Sequence, residues 1–138
     1  MLQIYHSKNN PISGTDYREV KKKALLAYKQ IIGHSKRRPY VRSLYFNKDK
    51  VFLELFWKHL SDKNYWDQMR RMKFFTCGIE VIQKSHCPPL SKDNPNKTNE
   101  TLHRFRGITP NHQFFCVQIK EYKRTGKKFL ISIFQIEE

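Results

Sequence analysis

The sequence predicts an α+β domain: about three N-terminal helices followed by a C-terminal three- to four-stranded antiparallel β-meander. Three observations lead there. Residues 101–136 alternate apolar and polar side chains with a period of two, in runs separated by turn signals. Upstream, apolar residues recur at helical spacing in three segments. Between the two regions, Cys87-Pro88-Pro89-Leu90 and on to Asn99 has the composition of neither element and reads as a long loop. The chain is accordingly taken as one domain over 1–138, with a helical half at 1–86, a loop at 87–100 and the meander at 101–138.

Within the meander, TLHRFRGI leads through Thr109-Pro110-Asn111-His112 into QFFCVQIKEY, and Lys123-Arg124-Thr125-Gly126 turns that into KKFLISIFQI. Pro110 presets φ for a turn, Asn111 tolerates the left-handed region, and Gly126 supplies the positive φ of a short hairpin. Phe115, Val117 and Ile119 alternate with Gln118 and Lys120, and Phe129, Ile131 and Ile133 with Lys128 and Ser132. One face is therefore apolar, and the other basic and hydroxyl-bearing.

Twenty-seven Lys and Arg against 12 acids give the 138-residue chain a net charge of +15. Such an excess favours a polyanionic partner, because each phosphate neutralised releases counterions. An anionic membrane surface fits less well, since neither a lipidation motif nor an amphipathic terminal helix is present, and no run approaches the ~18 apolar residues of a span. Three cysteines without framework spacing suit a reduced, cytoplasmic setting, and no signal peptide is visible at Met1–His6.

In chain order, residues 1–15 are expected to form a brief edge strand or to fray. The first helix starts near Thr15 or Asp16, carries the stripe Tyr17, Val20, Ala24, Ala27, Tyr28 and Ile31, and ends at Gly33. A basic loop, Ser35-Lys36-Arg37-Arg38-Pro39, follows. Arg37 and Arg38 beside Tyr40 are candidates for nucleic-acid contact, since arginine with an aromatic ring can take both phosphate and base. Lys21–Lys23 suit a solvated helix face equally well. Asn47 is expected to cap a second helix at Lys48–Leu60, apolar on most sides. A third runs over Tyr65–Lys84, with Gly78 inside it marking a kink or a close packing contact.

No metal site, Gly-rich phosphate loop or nucleophile motif stands out, and no cofactor is expected. Acids are scarce, so an enzyme built from this chain would work with His, Lys, Arg and Ser. Those groups suit metal-independent RNA cleavage through the 2′-OH. His103 can act as base or acid, Lys120, Arg104 and Arg106 can hold the phosphate, and Ser132 can donate a hydrogen bond to it. Lys128 joins the candidate nucleic-acid contacts. Equally, these residues can form the ordinary wet face of an antiparallel sheet. Parity sets a condition: if Phe105 faces the core, so does His103, unless a bulge intervenes.

The strands HRFRGIT, FFCVQIKE and KKFLISIF, preceded by helices, resemble the barnase–EndoU–RelE class of small nucleases, in particular its phage and toxin branches. The resemblance covers residues 101–136. It implies a metal-free endoribonuclease whose site consists of His103 early in the meander, Lys120 in a middle strand and Ser132 in the last, with Arg106 as an added phosphate contact. The implied partners are RNA, the ribosome and an acidic antitoxin. The alternative from a different class is a non-catalytic nucleic-acid-binding protein using the same basic surface.

Overall fold

A computed structural model, which describes residues 3–33 and 37–136, joins strands from both ends of the chain into one sheet. In chain order the elements are β1 (Tyr5–His6), α1 (Tyr17–Ile32), β2 (Tyr40–Ser43), β3 (Asp49–Phe52), α2 (Glu54–Leu60), α3 (Tyr65–Met72), α4 (Phe75–Lys84), β4 (Leu90–Asn94), β5 (Lys97–Ile108), β6 (Phe114–Tyr122) and β7 (Lys128–Ile136). The sheet order is β1-β5-β6-β7-β3-β2, with β4 also paired to β5. The sheet is mixed, because β1 runs parallel to β5 and β3 parallel to β7 while the other pairs are antiparallel. Among the described residues, three helices and a separate three- to four-stranded meander are thus replaced by four short helices and a seven-stranded sheet.

The first helix follows the sequence reading. Val20 and Ala24 are fully buried, and Tyr17, Ala27, Tyr28 and Ile31 pack around them. The N-terminal segment forms the brief edge strand β1. His34–Lys36, the start of the expected basic loop, lies outside the described residues.

The expected helix at Lys48–Leu60 is instead a strand and a helix. Asn47 does not cap it: Asn47 and Lys48 have φ of 56° and 67°, the left-handed conformation that closes the β2–β3 connection. Val51 and Leu53 are then completely buried and Phe52 is not, a period of two that ends where α2 begins. An apolar segment of this kind satisfies strand and helix patterns equally, and the partner strand decides. The expected Tyr65–Lys84 helix is broken between Met72 and Phe75. Phe74 and Phe75 are 2% and 0% exposed, and one continuous helix would turn neighbours 100° apart. The break lets both reach the core. Gly78 marks close packing: a Cβ there would lie 2.4 Å from Ile133 Cδ1.

The 87–100 loop is also corrected, since Leu90–Asn94 pairs antiparallel with a β5 that already begins at Lys97. All but one of the β4 residues are exposed, so no apolar alternation could announce the strand. At the β5–β6 turn the positive φ falls on His112, not on Asn111, whereas Gly126 has the expected positive value, 75°.

Side chains from all four helices pack into one core against one face of the sheet. That inner face contributes Phe105, Val117, Ile119, Leu130 and Ile133 to a core shared with Phe56, Met72, Phe75 and Ile82. A bulge in β7 sets what faces where. Gln118 pairs with Ser132 but Ile119 with Leu130, which leaves Ile131 as the extra residue. Leu130 and Ile133 both point inward, and Phe129, expected in the core face, turns to the outer face opposite Lys120. Among the described residues no helix is long and apolar enough to cross a membrane.

Candidate nucleic-acid interface

Side chains directly opposite each other on paired strands share a face, so the register maps the outer surface. One row crosses six strands: Tyr40–Phe52–Phe129–Lys120–Leu102–Lys92. Five inter-strand steps of about 4.8 Å make it ~24 Å long. The next row is Leu90–Arg104–Gln118–Ser132, and the one beyond it Arg106–Cys116–Phe134. Aromatic rings are seated among cations throughout. The Arg38 guanidinium lies 4.6 Å from the Phe52 ring centre and 5.7 Å from that of Phe129. Lys120 Nζ is 5.7 Å from the Phe129 ring centre and 5.0 Å from that of Tyr122. Lys50 lies over Tyr40 at 4.8 Å, and Arg71 and Arg104 each stand 5.5 Å from Phe134.

Three carboxylates bordering this surface are engaged. Glu100, 3% exposed, accepts from Asn94 and sits 3.7 Å from Lys120 Nζ. Asp67 is held by Arg71 and Glu54 by Arg38. Arg71, on α3, also donates to Ser132 Oγ at 2.8 Å. Cys116 lies buried beneath Arg104 and Arg106; burial pushes its thiol pKa up and the two arginines pull it down in part. Around Tyr40, the residues Arg37, Arg38, Lys50, Phe52 and Lys127 line a shallow basin at the β2 end of the row.

His103 is elsewhere. It pairs with Ile119 without a bulge in between, so it faces the core beside Phe105, as parity requires. There it is 8% exposed, with Nδ1 2.7 Å from Ser91 Oγ and Nε2 2.7 Å from Glu121 Oε1. Phe46 packs edge-on against its ring at 4.9 Å. Lys128, expected to contact nucleic acid, belongs to the same inner cluster. It is 5% exposed and bonded to Asp49 at 2.8 Å and to the Gly126 carbonyl, with Glu121 3.5 Å away. Its charge is paired with Asp49 and Glu121.

The three residues expected to form a catalytic site are therefore not brought together. Lys120 and Ser132 share the outer face with Arg104 and Arg106, and His103 lies on the opposite side of the sheet. Arg37, Arg38 and Tyr40 join the outer surface through Phe52. The sequence reading missed Phe52, Phe129, Phe134, Arg71 and Lys92. Alternation along β7 could have found Phe134, but Phe129 depends on the bulge and Arg71 on how α3 passes the strand.

Comparison with protein-family models, curated proteins and solved structures finds no match. The resemblance to barnase–EndoU–RelE nucleases thus rests on the meander strands alone. Among the described residues no three His, Cys, Asp or Glu side chains are grouped to hold a metal ion.

Proposed function

We propose that this protein binds single-stranded RNA across the outer face of its sheet. The observation that carries this reading is the row Tyr40–Phe52–Phe129–Lys120–Leu102–Lys92, flanked by Arg38, Arg104 and Arg71. Partly exposed rings bordered by cations suit a strand whose bases are unstacked: Tyr40 and Phe52 receive base faces, and the cations beside them track the backbone. A net charge of +15 adds long-range attraction for the polyanion.

The test is fluorescence anisotropy with a labelled single-stranded RNA, beside duplex RNA and single-stranded DNA, over a range of salt. Tyr40→Ala is expected to cost about 1–3 kcal/mol of affinity. Lys120→Ala is expected to weaken binding and lower the slope of log K against log salt by about one. Absence of binding at about 50 mM salt refutes the reading.

Metal-independent RNA cleavage is the second reading, favoured by the convergence of Lys120, Ser132, Arg71 and Arg104 on one face. Those groups form the phosphate-stabilising part of such a site. A base other than His103 must complete it. Mixed cellular RNA incubated with the protein in EDTA decides: cleavage that is lost in Lys120→Ala supports the enzyme. RNA that shifts on a gel but stays intact supports binding alone.

A further inference from the structure

The outer face is not uniform. Over β4, β5 and β6 it holds a hollow of about 250 Å³ lined by Leu90, Ser91, Lys92, Leu102, Arg104 and Gln118. Leu90 is 57% exposed on a strand that otherwise reads Ser-Lys-Asp-Asn. It stands diagonally across from Leu102, so the two give the hollow apolar walls. The Ser91 hydroxyl is turned to His103 on the other face. Arg104 leans away over β6, donating through Nη2 to Gln118 Oε1 at 3.1 Å and reaching the Phe134 ring. That lean leaves open space between Arg104 and β4.

The Arg104 contact also settles which way the Gln118 amide points. A guanidinium has no acceptor, so Gln118 must offer it the oxygen, leaving Nε2 with its two N–H groups for a ligand. Arg104 and Lys92 can only donate as well. The hollow therefore combines apolar walls with a polar rim made of donors. A flat ring whose polar edge carries acceptors alone fits such a site.

Resting on the RNA-binding reading, we propose that this hollow is a base-selective pocket for one unstacked guanine of the bound strand. Guanine presents two adjacent acceptors, N7 and O6, on one edge. Adenine sets an amino donor beside its N7, so on that edge it confronts donors with a donor. Uracil offers a carbonyl acceptor on a smaller ring. Lys120, next to Leu102 in the row, is placed to take the adjoining phosphate.

The test uses three labelled RNAs: a U-only octanucleotide, the same strand with one central G, and the same strand with one central A. The G-containing strand is expected to bind about tenfold more tightly than the other two. In Gln118→Ala and in Leu90→Ala, both substitutions at solvent-accessible positions, that ratio is expected to fall towards one. Equal affinities for the three strands in the unaltered protein overturn the pocket while the RNA-binding reading stands. A guanine preference that survives both variants overturns it too. If none of the strands binds, the RNA-binding reading itself fails, and the pocket with it.

Discussion

Replacing Gly78 with alanine sets two effects of opposite sign against each other. In a helix interior alanine is favoured over glycine by about 1 kcal/mol, and Gly78 lies inside α4. Against that, the added Cβ would meet Ile133 at 2.4 Å from Cδ1, 2.9 Å from Cγ1 and 3.3 Å from Cγ2. Ile133 is 0% exposed and lies in the core, so its side chain cannot swing clear without displacing neighbours. Overpacking of this kind costs typically 1–3 kcal/mol. The expected net loss is about 1 kcal/mol, which at a urea slope of ~2 kcal/mol per molar lowers the unfolding midpoint by about 0.5 M. Ile133→Val removes the methyl of closest approach and by itself costs about 1 kcal/mol. In the double variant the two losses should fall short of their sum by about 1 kcal/mol, since the void left by one accepts the other. Urea unfolding followed by tryptophan fluorescence measures all four proteins. A raised midpoint in Gly78→Ala, or strictly additive losses, would falsify the close-packing argument.

The remaining predictions concern buried polar groups. Glu80 is 3% exposed, and although burial raises its pKa, hydrogen bonds from Tyr5, the Lys8 amide, Asn9 and Ser7 outweigh burial and hold it below the ordinary carboxylate value. Its stabilisation is therefore complete above the unfolded-chain value of about 4.3 and is lost as pH falls through the lower folded value. Glu80→Gln should cost about 2 kcal/mol at neutral pH and flatten the acid limb of a midpoint-against-pH curve; an unchanged limb refutes this. Burial pushes the Cys77 thiol to about 11 and raises that of Cys116, whereas Cys87 is only partly buried. One fast thiol in the native protein and three after denaturation is the expected count with a disulfide reagent, and three fast thiols would contradict the placement of Cys77 and Cys116. His103→Ala strands Ser91 and Glu121 and should lower stability by about 1–3 kcal/mol with RNA affinity retained; a selective loss of affinity at unchanged stability returns His103 to the binding site.

Local patterns were legible wherever one residue's neighbours in sequence are also its neighbours in space. The α1 stripe, the alternation of β6 and the glycine turn at Gly126 follow from periodicity and backbone preference alone. The segment from Lys48 to Leu60 did not, because it is apolar on most sides and its form depends on β7 lying beside it. Leu90–Asn94 did not either, because its pairing with β5 is made by backbone groups that every residue carries.

The same division runs through the site. Composition by itself determined the surplus of cations and the scarcity of acids, and parity along one strand determined that His103 shares a face with Phe105. Which aromatic rings lie beside which cations was decided by tertiary structure: strand order brings Tyr40 and Phe52 from the N-terminal half beside Phe129, and the extra residue Ile131 turns Phe129 outward. A one-residue shift in register reverses the face of every later side chain in a strand, and it leaves no mark on the sequence until the partner strand is in place.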